Sequence, residues 1–70
     1  MNDKCEVNIT TRDRVLRAWE NSMELVRDFK SYSEEIKDDP YIADMFSNFA
    51  KDEGMHASKF REVLHQYQGE

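Results

Sequence analysis

Apolar residues recur at alternating steps of three and four along most of this sequence. In the first half these positions are Val15, Ala18, Ser22 (a small polar exception), Leu25, Phe29, Tyr32 and Ile36. This spacing places side chains on one face of an α-helix. A second apolar stripe lies beside the first and contains Leu16, Trp19, Met23 and Val26. Two adjacent stripes are typical of a bundle helix that packs against two neighbours.

The second half carries a longer stripe with two polar residues at its centre. Its members are Ile42, Phe46, Phe49, Glu53, His56, Phe60, Val63 and Tyr67. The spacing is that of the a and d positions of a heptad, which form the seam between packed helices. A carboxylate in such a seam is costly unless it is paired or bound to a metal ion. Glu53 and His56 are therefore the strongest functional candidates in the chain.

Capping residues and one proline divide the chain. Thr10 followed three residues later by Asp13 resembles a capping box. Asp39-Pro40 is a helix start, since proline suits the first helical position and Asp39 the N-cap. We predict a flexible N-terminal tail over residues 1–9 and a helical hairpin over 10–68. The hairpin has a helix over 10–38, a turn at 38–39 and a helix over 40–67, with Gly69 as the stop signal.

The predicted fold class is all-α, an antiparallel two-helix hairpin. A chain of 70 residues buries little surface, and a hairpin leaves much of its apolar surface open. Trp19, Met23 and Val26 on one helix and Phe46 and Phe49 on the other are too large to leave in water. We therefore expect a homodimer or higher homo-oligomer, with two hairpins paired face to face as a ferritin-like four-helix bundle.

Charge and cysteine content narrow the class of partner. The net charge of −5 argues against nucleic acid, because phosphate neutralisation needs a basic surface. No apolar run approaches the length of a membrane span, and no signal-peptide pattern opens the chain. Cys5 is the only cysteine, so no disulfide forms within one chain. These features lead us to expect a cytoplasmic protein with no membrane partner.

The Glu-x-x-His pair has a specific chemical meaning on a bundle helix. Carboxylate oxygens with one imidazole nitrogen per ion suit iron or manganese, and zinc is a further candidate. A di-iron bundle takes one glutamate from each of two helices and Glu-x-x-His from each of the other two. In an antiparallel hairpin that turns at 38–39, Glu24 lies level with Glu53, and Glu20 lies beside His56. Periodicity alone does not choose between these two carboxylates.

The stretch from Leu16 to Tyr67 resembles the first two helices of a ferritin-like di-iron protein, rubrerythrin most closely. The run Asp52-Glu53-Gly54-Met55-His56 followed by Ala57 is similar to the acidic-Glu-x-x-His-Ala pattern of that family. Glu20 precedes Glu53 by 33 residues, as the first-helix ligand does there. The resemblance implies a metal site of Glu20, Glu53 and His56, in which Glu53 bridges two irons and the other two are terminal ligands.

The resemblance also implies an activity, namely oxidation of Fe(II) by O2 or peroxide at a di-iron centre completed by homodimerisation. The chain has no Cys-x-x-Cys segment, so the sequence identifies no electron donor. The alternative is a non-catalytic helical dimerisation module with a structural Glu53–His56 pair in its core. Gly54 costs about 1 kcal/mol in a helix interior, so we expect another group to pack against the backbone there.

Overall fold

The computed structural model describes residues 9–68, which form two helices packed against each other. Helix α1 spans Thr11–Glu35 and helix α2 spans Pro40–Gln68. The all-helical hairpin is therefore confirmed, and no strand occurs within residues 9–68. The predicted tail falls almost wholly on residues 1–8, which lie outside the described residues, as do Cys5 and Gly69.

Helix α1 begins at the expected capping box. The Thr10 hydroxyl accepts a hydrogen bond from the backbone N–H of Asp13 at 3.0 Å, and the Asp13 carboxylate accepts one from the Thr10 N–H at 3.1 Å. These two bonds satisfy backbone donors that have no partner inside the helix. The pKa of the Asp13 carboxyl lies below its ordinary value, first because the Thr10 backbone N–H donates to the carboxylate and second because the Thr10 hydroxyl beside it also favours the ionised form.

Helix α1 ends at Glu35, before the predicted limit of residue 38. Ile36 is already extended, with φ −77° and ψ 112°, and its N–H donates to the Tyr32 carbonyl at 3.0 Å. The last turn of α1 contains no basic residue, whereas it contains two carboxylates, Glu34 and Glu35. Negative charge at the carboxyl end of a helix opposes the helix dipole and favours an early end.

Helix α2 begins as the Asp39-Pro40 pair predicts. The Asp39 carboxylate accepts a hydrogen bond from the Ile42 N–H at 3.2 Å, and the Asp39 carbonyl accepts one from the Ala43 N–H at 3.0 Å. Proline at the first helical position loses nothing, because its missing N–H would have no partner there. The two helices are thus joined by only residues 36–39, a connection short enough to hold them antiparallel.

Aromatic contacts close the hairpin next to the turn. Phe29 lies 5.7 Å from Phe46 and 6.2 Å from Phe49 between ring centroids, and Tyr32 meets Phe46 edge-on at 5.4 Å. Such tilted and edge-on pairs stabilise a contact by about 0.5 to 1.5 kcal/mol beyond the area they bury. They join the end of α1 to the start of α2, which is the register expected from a turn at residues 38 and 39.

Candidate metal centre

The inward side of α2 differs by one position from the predicted seam. The described residues that are at least nine-tenths buried are Ser22 of α1 and Ala57 and Leu64 of α2. Ala57 and Leu64 each follow a predicted seam residue by one position, whereas the predicted seam residues Phe49 and Tyr67 are exposed. Small side chains let two helices approach closely, so alanine and serine occupy the contact line and the larger residues flank it.

The sequence contains a signal for this rotation. Small residues recur along α2 at the same steps of four and three as the large ones: Ala43, Ser47, Ala50, Gly54 and Ala57. Ser22, the small polar residue of the first stripe, is the α1 residue that lies deepest in the contact. Weighting by hydrophobicity alone favoured the phenylalanines, although residue size decides which side of a helix can lie closest to its neighbour.

The large residues on one side of the contact line form a surface that we call the aromatic face. It consists of Leu25, Phe29 and Tyr32 of α1 and Phe49, Glu53, His56 and Phe60 of α2. Leu25 is 39% exposed, Tyr32 43% and Phe49 44%. These apolar side chains are therefore only partly covered by their own chain, and the two candidate metal ligands lie among them.

The opposite side of the contact line carries a second surface, the tryptophan face. It is a shallow groove lined by Trp19, Met23 and Val26 of α1 and Gly54, Ala57, Ser58 and Arg61 of α2. Its large apolar residues come from α1, whereas α2 contributes small residues and Arg61. The two apolar stripes predicted for α1 thus lie on opposite sides of the hairpin, and only the first is next to Glu53 and His56.

Glu53 and His56 are adjacent, as their spacing on one helix predicts. The Glu53 Oε1 atom lies 3.4 Å from the His56 Nδ1 atom, which is long for a hydrogen bond. The Glu53 side chain is only 17% exposed, whereas that of His56 is 64% exposed. Two donors that bind one ion at about 2.1 Å are themselves about 3.0 to 3.4 Å apart. The pair is therefore spaced like two ligands of a single ion.

Glu20 lies on a different surface. Its side chain is exposed, and at about 100° per residue it projects roughly 160° around α1 from Ser22, which faces α2. The Glu24 side chain also projects about 160° around α1 from Ser22, in the opposite sense, so it too points away from the contact with α2. Within residues 9–68 no group of three His, Cys, Asp or Glu side chains is close enough to hold a metal ion. The hairpin thus brings Glu53 and His56 together and does not bring Glu20 to them.

Gly54 does not have the role that its position suggested. A β-carbon built at this residue meets no other atom within 4 Å, so the space beside its backbone is open. No group of the hairpin itself therefore packs against the Gly54 backbone. The physical reason is that Gly54 lies in the groove of the tryptophan face, where the neighbouring side chains line the walls and leave the floor free.

The first charged residue after the pair along the chain, Lys59, belongs to a local salt bridge. Lys59 donates to the Glu62 carboxylate at 2.9 Å, with both side chains largely in solvent. This hydrogen bond raises the pKa of Lys59 and lowers the pKa of Glu62. Lys59 lies one helical turn after His56, so a positive charge flanks the imidazole on the solvent side of α2.

No helix within residues 9–68 has the length and apolar content needed to cross a membrane. No protein-family model matches the sequence, and the searches of curated proteins and of solved structures gave no match. The similarity to rubrerythrin therefore depends on the motif residues alone.

Proposed function

We propose that this chain is a homodimeric metal-binding protein in which Glu53 and His56 of two copies hold iron. The observation that carries the proposal is the half-buried Glu53 carboxylate 3.4 Å from the His56 imidazole, on an apolar face that its own chain leaves open. A carboxylate in that position needs a counter-charge once the face is covered. A metal ion supplies that charge and uses the imidazole as a further ligand.

A second copy is the simplest cover for the aromatic face. Only Ser22, Ala57 and Leu64 are at least nine-tenths buried among the described residues, which is a small core for a helical hairpin. Pairing two hairpins through this face would produce the four-helix bundle that the sequence predicts. It would also double the donor set, from one carboxylate and one imidazole to two of each.

This doubled set fits a carboxylate-rich iron site. Two imidazoles allow one histidine per ion, and two carboxylates can bridge a pair of ions. Manganese and zinc fit the same ligand types. Glu20 is left out of the proposed ligand set, because α1 presents its exposed side chain on the side away from Glu53. In the proposed centre, water would fill the remaining positions.

The chemistry that bound iron supplies is the oxidation of Fe(II) to Fe(III). Two Fe(II) ions give up two electrons, which reduce O2 and two protons to H2O2, or reduce H2O2 and two protons to two waters. The chain's own residues hold the ions, and the surrounding phenylalanines exclude water from them. We place this activity in a reducing compartment such as the cytoplasm, where Fe(II) is available and a lone cysteine stays reduced.

Metal analysis with single-residue variants tests the proposal. The purified protein is loaded anaerobically with Fe(II), freed of excess ions, and measured for iron per chain by elemental analysis. We expect close to one iron per chain for the wild type and a loss of most of it in Glu53→Ala and in His56→Ala. The matched control is Glu20→Ala, which should keep its iron. Wild-type protein with no iron, or with iron unaffected by Glu53→Ala, contradicts the proposal.

A second candidate is a helical self-association module without metal. It is favoured by the placement of Glu20 and by the direct contact between Glu53 and His56, which pairs them within one chain. In that case His56→Leu is neutral or stabilising, since an apolar side chain replaces a polar one in a covered face. In the metal protein the same change lowers the melting temperature only when iron is present. Thermal melts with and without Fe(II) separate the two.

A further inference from the structure

Glu53 lies near the midpoint of the hairpin. Helix α2 spans Pro40–Gln68, so its middle residue is Gly54, and Glu53 comes directly before it. His56 follows within one helical turn. Suppose that a second hairpin covers the aromatic face. A two-fold axis that lies between the two hairpins at this level, perpendicular to the helices, brings the two Glu53–His56 pairs together. A two-fold axis that runs along the helices does so as well, so the position of the pair leaves two orientations open.

The two orientations put different helices in contact. With the axis along the helices, both turns lie at the same end, and α1 lies beside α2 of the second copy at equal height. With the axis across the helices, the turns lie at opposite ends, and α1 lies beside α1 of the second copy. Every neighbouring pair of helices is antiparallel in both cases, so helix dipoles do not distinguish them.

Charges along the rim of the aromatic face do distinguish them. At about 100° per residue, Arg14 and Arg17 lie on this rim near the start of α1, Glu24 lies at its outer edge near the middle, and Asp28 and Glu35 lie on it near the end. All five are exposed, and Glu24 meets a like charge in both orientations, so it does not distinguish them. The α1 edge of the face is therefore acidic towards the turn and basic at the opposite end of the hairpin, which we call the open end and which holds the start of α1 and the end of α2.

The rim of α2 adds a further constraint. Asp52 and Lys59 lie on that edge, and Lys59 belongs to the open half of the hairpin. With the axis along the helices, Arg17 would lie at the height of Lys59 of the second copy, and Asp28 near the height of Asp52. Both are pairs of like charge, which oppose association.

With the axis across the helices, the same residues meet opposite charges. Helix α1 then lies antiparallel to α1 of the second copy. Arg17 comes within one helical turn of the height of Asp28 in the second copy, and Arg14 within one turn of the height of Glu35. Symmetry repeats each pair, which gives four pairs of opposite charge along one edge. At the axis itself the two Glu53 carboxylates approach each other, and a bound cation relieves their repulsion.

We infer that the partner on the aromatic face is a second copy of this chain in the antiparallel orientation, with its turn at the opposite end of the bundle. The inference deepens the proposed function, because it says how the two Glu53–His56 pairs meet. It rests on the proposed dimer but not on the identity of the metal.

Distances between spin labels test the orientation directly. A label is attached to Cys introduced by Lys37→Cys, an exposed residue next to the turn, in a chain that also carries Cys5→Ser. A hairpin of this length is about 40 Å long. The antiparallel dimer therefore predicts a distance of about 40 Å or more between the two labels. The other orientation predicts less than about 30 Å, since neighbouring helix axes are about 10 Å apart.

The matched control is Met55→Cys in the same Cys5→Ser chain. Met55 is 71% exposed and lies close to the midpoint, so its two labels should be within about 30 Å in either dimer. A short distance at both positions overturns the orientation and leaves the metal-binding dimer standing. A chain that sediments as a monomer, with no coupling between labels at either position, overturns the dimer and the orientation together.

Charge reversal at one rim residue is an independent test, because it should weaken the dimer in one orientation and strengthen it in the other. In the antiparallel dimer Arg17→Glu replaces an attractive pair by a repulsive one at two places, and should weaken the dimer on the order of five- to tenfold. Adding Asp28→Arg should recover most of that loss. In the other orientation Arg17→Glu tightens the dimer, because residue 17 then meets Lys59. The control is Arg27→Glu, on the outer side of α1.

Discussion

The aromatic face and the tryptophan face are both apolar, and each leaves large residues exposed, including Met23 at 37% on the tryptophan face, but the two faces are built differently. On the tryptophan face the large side chains come from α1 and lie over small residues of α2, so Trp19 is half-buried within its own chain. On the aromatic face both helices contribute large residues. Tyr32 and Phe49 cannot cover each other and remain 43% and 44% exposed. The aromatic face is therefore the one that we propose a second chain covers.

Phe49→Glu gives the largest effect that this comparison predicts. A carboxylate in the middle of the aromatic face has no partner once a second copy covers it, so the dimer should weaken at least 100-fold, or about 3 kcal/mol. Sedimentation equilibrium measures the change. Met55→Glu is the control, because residue 55 is 71% exposed on the outer side of α2. If both variants dimerise like the wild type, the aromatic face is not the interface.

Trp19→Ala should affect folding and leave association unchanged. The indole lies over the small residues of its own chain, and its loss should lower the free energy of unfolding by about 2 kcal/mol at a half-buried site. Urea titration measures this, with Tyr41→Ala, at a 77% exposed position, as the control. A dissociation constant raised more than tenfold by Trp19→Ala would instead place the second copy on the tryptophan face.

Gly54→Ala should stabilise the protein by about 1 kcal/mol. Alanine is the better helix former by this amount, and its methyl group meets nothing within 4 Å in the hairpin. Thermal or urea unfolding at fixed protein concentration measures the gain. A loss of stability that is present at high protein concentration and disappears as the protein is diluted would mean that another chain occupies the groove beside Gly54.

Thr10→Ala, far from both faces, should give the smallest change and a pH dependence of known sign. Loss of the N-cap costs about 0.5 to 1 kcal/mol near neutral pH. The pKa of the Asp13 carboxyl is lowered in the folded chain. The ionised carboxylate therefore makes its full contribution to the stability of the folded state at pH values above the unfolded pKa of 3.8. This stabilising contribution is lost as the pH falls through the lowered pKa of the folded chain. The difference between variant and wild type should therefore shrink in strong acid, as unfolding measured from pH 7 to pH 2 would show.

The hairpin was predictable because its signals are local. Thr10 with Asp13 and Asp39 with Pro40 mark the helix starts through hydrogen bonds to residues three positions away, which the sequence contains directly. The pairing of Glu53 with His56 is local in the same sense, since three residues on a helix span about one turn.

The rotation of α2 and the placement of Glu20 were not predictable in this way. Both depend on which side of each helix faces the other, and two of the three residues buried there, Ser22 and Ala57, are small and lie outside a pattern of large apolar residues. The predicted set of Glu20, Glu53 and His56 came from a resemblance in spacing along the chain. Spacing places residues at the same height in a hairpin but does not determine the direction in which they point.

The central claim is that a second copy of the chain covers the aromatic face and completes the Glu53–His56 site. Sedimentation equilibrium of the wild-type protein over a wide range of concentration, with and without Fe(II), tests it most directly. The prediction is a particle of twice the chain mass of 8.4 kDa that dissociates at a lower concentration when iron is present. A mass of 8.4 kDa at every concentration, unchanged by iron, would contradict it.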